Sequence, residues 1–144
     1  MALNIALTFN TSCAEALEFY SRVFNTIPQE VHTYGDIPEA DLEQMNEDQR
    51  QKIMYSELTI HDQTIMLWDD LLEYDVEPGN RIIIQLSFTE KEEFQRVYQA
   101  LSEDGVVEME PQATFFNPYY AEVTDPFGVN WMLSLKGEYE PELE

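Results

Sequence analysis

Ile5, Leu7 and Phe9 alternate with Asn4, Ala6 and Thr8, which predicts a strand with one apolar face. Ser12 to Glu15 then reads as a capping box, in which serine accepts from a free backbone N–H and glutamate reaches back to the cap. A helix is expected next. Its buried stripe is Leu17, Tyr20 and Phe24, flanked by Ala16 and Val23, at spacings of three and four.

The same signals return 77 residues later: Ile82, Ile84 and Leu86 for the strand, Thr89 and Glu92 for the capping box, Phe94, Val97 and Leu101 for the stripe. Glu103-Asp104-Gly105 predicts the end of that second helix, with glycine taking the left-handed conformation. Beyond the helices the halves agree at an offset of 65. Tyr55-Ser56-Glu57-Leu58-Thr59 matches Tyr120-Ala121-Glu122-Val123-Thr124, and Ile65-Met66-Leu67-Trp68 answers Asn130-Trp131-Met132-Leu133. The first half therefore carries 12 extra residues, placed in the acidic stretch 35–51, which predicts a surface excursion with a short helix.

Each half reads strand, helix, then three strands. This predicts an α+β fold of two βαβββ modules, about 1–78 and 79–136, with a loose acidic tail at 137–144. A module of that size has little core of its own, so the two are expected to make one domain related by a pseudo-twofold axis.

Composition narrows the functional classes. Seven Lys and Arg against twenty-nine Asp and Glu give a formal charge of -22, which repels nucleic acid and anionic membranes. An acidic surface is compatible with a basic protein partner, and also with simple colloidal stability. The apolar fraction of 44%, with eight Phe, eight Tyr and two Trp, is that of a folding chain. Cys13 is alone, so neither an internal disulfide nor a cysteine-based zinc site is expected. With no signal-peptide pattern in MALNIALTFN and no membrane-length apolar run, the expected location is the cytoplasm.

Four stretches carry a resemblance: FNTSCAEALEFYSRVFN at 9–25, YGDIP at 34–38, SELTIHDQTIMLWDD at 56–70 and TDPFGVNWML at 124–133. Over nearly its whole length the chain resembles the PhnB-like branch of the vicinal oxygen chelate superfamily, which includes glyoxalase I, extradiol dioxygenases and bleomycin-resistance proteins. The resemblance implies paired βαβββ modules and a homodimer. In metal-using members, ligands project from the first and last strands of each module. Here those strands, LNIALTF, TIMLW, RIIIQLSF and VNWML, contain no His, Asp, Glu or Cys. Met66 and Met132 stand at the carboxylate positions, and methionine is a poor ligand for a divalent cation. No metal and no cofactor are expected.

Other chemistry has to come from elsewhere. Glu57 and Glu122 occupy equivalent strand positions and are the candidates for an acid–base pair. Tyr55, Trp68, Phe115, Phe116, Tyr120 and Trp131 are the candidate walls of a cavity for a small organic ligand. His32 precedes a loop, His61 sits in a hairpin turn, and both read as surface residues. Cys13 stands at a helix start, where the dipole lowers a thiol's pKa, but no base lies nearby in sequence. The scattered glycines form no phosphate loop. The expected function is metal-free binding of a small organic molecule. The alternatives are a lyase, isomerase or dioxygenase of the same superfamily, and an acidic protein that meets a basic partner.

Overall fold

The computed structural model describes the backbone of residues 1–136 and, except at residues 40 and 41, their side chains; the predicted acidic tail at 137–144 lies outside the described residues. The chain forms two compact units, Met1–Glu77 and Pro78–Glu144. Each is a βαβββ module.

In the first, β1 (Ala6–Phe9) leads to α1 (Cys13–Phe24), then β2 (Gln29–Thr33), β3 (Ile53–Ile60) and β4 (Gln63–Asp69). The excursion between β2 and β3 holds a 3-10 turn at Tyr34–Asp36 and two short helices, α2 (Glu39–Leu42) and α3 (Glu47–Arg50). In the second unit β5 (Ile84–Phe88) precedes α4 (Lys91–Ser102), β6 (Val106–Gln112), β7 (Tyr120–Thr124) and β8 (Asn130–Leu135). The sheets have matching orders, β1-β4-β3-β2 and β5-β8-β7-β6. Each first strand runs parallel to its module's last strand, and the other pairs are antiparallel.

One face of each sheet is covered by its helix. In β3 and β4 the buried residues are Ile53, Ser56, Leu58, Ile60, Ile65, Leu67 and Asp69, and α1 packs on them through Ala16, Leu17, Tyr20 and Val23. In the second unit Phe94, Val97 and Leu101 of α4 meet Leu86, Phe88, Val123, Trp131 and Leu133. Full burial of such a side chain contributes roughly 1.5–3 kcal/mol before entropy is counted, so these stripes hold helix to sheet. Phe24 is only half-buried. Among the described residues, no helix is long and apolar enough to cross a membrane.

Local signals were overridden at several points by tertiary partners. Ser12 makes no side-chain cap; the first N–H of α1, at Cys13, is instead accepted by Asp69 at 3.0 Å, a carboxylate supplied by the end of β4. The N-cap of α4 is Glu90 rather than Thr89, again without a side-chain bond, and Glu92 and Glu93 favour the helix start through its dipole. At the other end of α4, Asp104 takes the left-handed conformation (φ 59°), not Gly105. Gly105 is small for a different reason: a Cβ there would lie 2.5 Å from the carbonyl oxygen of Thr124.

Two further boundaries shift. Ile82 lies before β5 and is 78% exposed. The first strands correspond through Leu7, opposite Leu67, and Leu86, opposite Leu133. The last strands slip as well. Thr59 pairs with Thr64 across the first hairpin and Thr124 with Asn130 across the second, so the second turn is one residue longer. Met66 therefore corresponds to Met132, and Trp131 to Ile65 rather than to Met66. In a strand one residue of slip reverses the face.

Candidate functional site

Most of the candidate site residues lie on the sheet faces opposite the helices. On module one, Tyr55 and Glu57 alternate along β3 with the buried residues, and Met66 and Trp68 do so along β4. Glu57 lies directly across from Met66. The Tyr55 hydroxyl donates to Glu57 Oε1 at 2.8 Å, and that bond is the main reason its pKa is raised. The rings of Tyr55 and Trp68 stack, with centroids 6.5 Å apart and planes at 21°. Trp68 Nε1 donates to Asp70 Oδ1 at 3.0 Å, which fixes the indole. The result is an aromatic plate beside an anchored carboxylate.

Module two repeats the motif. Glu122 is across from Met132, and the Tyr120 hydroxyl donates to Glu122 Oε1 at 2.7 Å. Burial, reinforced by the Glu122 carboxylate, raises the Tyr120 pKa, so the phenol remains a donor. What lies around the tyrosine differs. Phe116 packs edge-on against Tyr120 at 5.0 Å, and the 89%-exposed Phe115 packs edge-on against Phe116. Gln85, opposite Met132, donates to Ser134 at 2.7 Å and to Ser87 at 3.1 Å. Further along the same face is a cavity of about 230 Å³ bordered by Ile83, Glu108, Glu122, Thr124, Asn130 and Met132.

The expected aromatic wall is thus divided. Tyr55 and Trp68 come together on one module, and Phe115, Phe116 and Tyr120 on the other, where Tyr120 is itself buried beneath Phe116 at 3% exposure. Trp131 also borders the cavity, but it is only 1% exposed and belongs to the helix-facing core. Its Nε1–H is taken by Asp125 Oδ2 at 2.8 Å. Asp125 also accepts from the backbone N–H groups of Phe127 and Val129, which organises the β7–β8 turn.

His32 is opposite Tyr55 on β2, its Nε2 3.4 Å from Glu30 Oε2, and His61 occupies the β3–β4 turn with φ 54°. Cys13 contradicts the expectation from the helix dipole. It is fully buried beside Asp69, and burial, with that carboxylate's charge, pushes its thiol up to about 12. At neutral pH it is a packed thiol, not a nucleophile.

Residues 3–133 match the model of the Glyoxalase/Bleomycin resistance protein/Dioxygenase superfamily. The chain belongs to this superfamily. It is 25% identical to Protein YjdN of Escherichia coli over 141 residues, 94% of this chain and 95% of that one. Protein PA1353 of Pseudomonas aeruginosa has a similar structure, with 31% identity, a TM-score of 0.78 and coverage of 93% and 98%. The PhnB protein of Bacillus cereus shares the fold at a TM-score of 0.77 and 20% identity, covering 94% of this chain and 99% of its own. PhnB-like proteins are therefore among the structural neighbours of this superfamily member.

Metal-using members of the superfamily place ligands on the first and last strands of each module. Here the residues of those strands on the uncovered faces are Ala6, Thr8, Thr64, Met66, Trp68, Gln85, Ser87, Asn130, Met132 and Ser134. That set holds no carboxylate, imidazole or thiolate, and the Gln85 amide is committed to two serines. Among the described residues, no three His, Cys, Asp or Glu side chains cluster to hold a metal ion. These residues do not fit a catalytic divalent cation.

Proposed function

We propose that this protein binds a small aromatic organic molecule on the uncovered faces of its sheets, without a catalytic metal. The observation that carries this reading is the residue exchange on those faces. Methionine occupies each last-strand position, opposite a glutamate held by the tyrosine two residues before it. Methionine and the Tyr55–Trp68 plate supply polarizable apolar contact, and the carboxylates supply orientation. The comparisons support the fold and the superfamily in which the reading is made. A homodimer in the cytoplasm belongs to the same proposal.

Calorimetric titration of the full chain with a panel of small aromatic compounds tests it. At least one compound is expected to bind with Kd below about 1 mM, to be unaffected by EDTA, and to weaken at least about tenfold in Trp68→Ala. The proposal fails if nothing binds in that range, or if EDTA abolishes binding and a divalent cation restores it.

A further inference from the structure

The cavity on module two has a chemistry that the general reading does not specify. Between Val107, opposite Val123, and Met109, opposite Glu122, the β6 ladder slips. Such a bulge sets two residues against one and re-aims a side chain. Here it leaves Glu108 without a ladder partner of its own and brings it to the same cavity as Glu122.

Of the other polar side chains at the cavity, Asn80 contributes an amide, Asn130 is oriented as an acceptor and Thr124 is shared between two acceptors. The Asn130 amide nitrogen donates to the carbonyl oxygens of Gly79 and Ile82, which orients its Oδ1 as an acceptor. The Thr124 hydroxyl is 3.2 Å from Glu108 Oε1 and 3.1 Å from Asn130 Oδ1. It has one proton for two acceptors. Glu122 accepts the hydrogen bond of the Tyr120 hydroxyl on Oε1. Among the described residues no Lys, Arg or His borders the cavity, and no basic side chain pairs with Glu108 or Glu122. The wall thus sets two carboxylates and the Asn130 carbonyl beside the Asn80 amide and the apolar Ile83 and Met132, with its net charge negative.

We infer that this cavity receives the protonated amino end of a small organic molecule, a primary ammonium whose N–H groups are shared among Glu108, Glu122 and Asn130 Oδ1. The inference rests on the metal-free binding reading above and names its ligand class. Size agrees with it. About 230 Å³ is below the roughly 300–1,000 Å³ of drug-sized pockets, which fits an amino end and its first carbons. A quaternary ammonium has the charge but no N–H to give. An alcohol has a donor but no charge.

The test uses the full chain labelled with 13C in its methionine methyl groups, so that Met132 reports the cavity and Met66 reports module one. The probe is 2-phenylethylamine, compared with 2-phenylethanol, with N,N,N-trimethyl-2-phenylethylammonium and with calcium ion. The amine is expected to move the Met132 signal saturably, at least about tenfold more tightly than either organic analogue. Glu108→Gln, an exposed and nearly isosteric change, is expected to erase that preference. The inference is overturned if the amine leaves Met132 unmoved, if the analogues or calcium match it, or if Glu108→Gln keeps the preference. Movement of Met66 with Met132 silent or indifferent to charge leaves the general binding reading standing and removes this one. Silence of both methyls with every aromatic probe tried removes both.

Discussion

Among single residues, Asp69 has the largest reach. It is 1% exposed, accepts from the N–H groups of Cys13 and Ile53 at 3.0 Å each, and its own carbonyl receives the Tyr34 hydroxyl at 2.5 Å. One side chain joins the start of α1 to the start of β3, and its backbone anchors the 3-10 turn. Burial raises its pKa; the two N–H bonds and Lys52 work against that rise, and Asp70 adds to it. The folded state therefore holds this proton more tightly than the unfolded chain does. Stability from this group is greatest below the ordinary aspartate range and declines as pH rises through that range to the raised value. Melting temperatures followed from about pH 4 upward are expected to show this decline, and Asp69→Asn is expected to flatten it. An unchanged slope in the variant would assign the decline to other carboxylates. None of this could be read locally, because Asp69 is 56 residues from the N–H it caps.

Elements were legible in proportion to how far their logic is local. The stripes of α1 and α4 follow from spacing alone, and so do the alternating faces of β3 and β7. That alternation also placed Tyr55 with Glu57 and Tyr120 with Glu122, since residues two apart share a face. It failed where the period breaks. The longer second turn reversed the face of Trp131, and the bulge in β6 hid Glu108, which nothing in VVEMEPQ singles out. Asn130 was equally silent, because its role depends on the distant carbonyls of Gly79 and Ile82. The junction of α4 with β7 is a sensitive point of the same kind. In Gly105→Ala the new methyl meets the backbone at Thr124, whose position is set by a β-ladder. A loss of about 1–3 kcal/mol is expected in urea unfolding, the cost of overpacking a site that cannot give way. No measurable loss would mean that the helix–strand junction yields.

At the scale of the whole molecule, charge dominates. A formal charge of -22 over 144 residues sets carboxylates against one another, with little basic charge to offset them. Added sodium chloride is expected to raise the melting temperature between about 20 and 300 mM, because the Debye length falls well below typical spacings of surface charges. A flat response would show that the repulsion is already relieved within the fold. The same screening is expected to weaken an ammonium ligand and to leave a neutral aromatic one untouched, so salt separates the two kinds of occupant without any substitution.

The repeated Tyr-x-Glu strand has an evolutionary consequence. A gene segment encoding one βαβββ module, once doubled, leaves two copies of the same strand motif free to diverge. In this chain the tyrosine–glutamate bond stands in both modules, whereas its neighbour differs: an indole stacks on Tyr55, and a phenylalanine edge packs against Tyr120. Descendants of such a doubling can alter the surroundings of one copy's tyrosine while the other keeps its own.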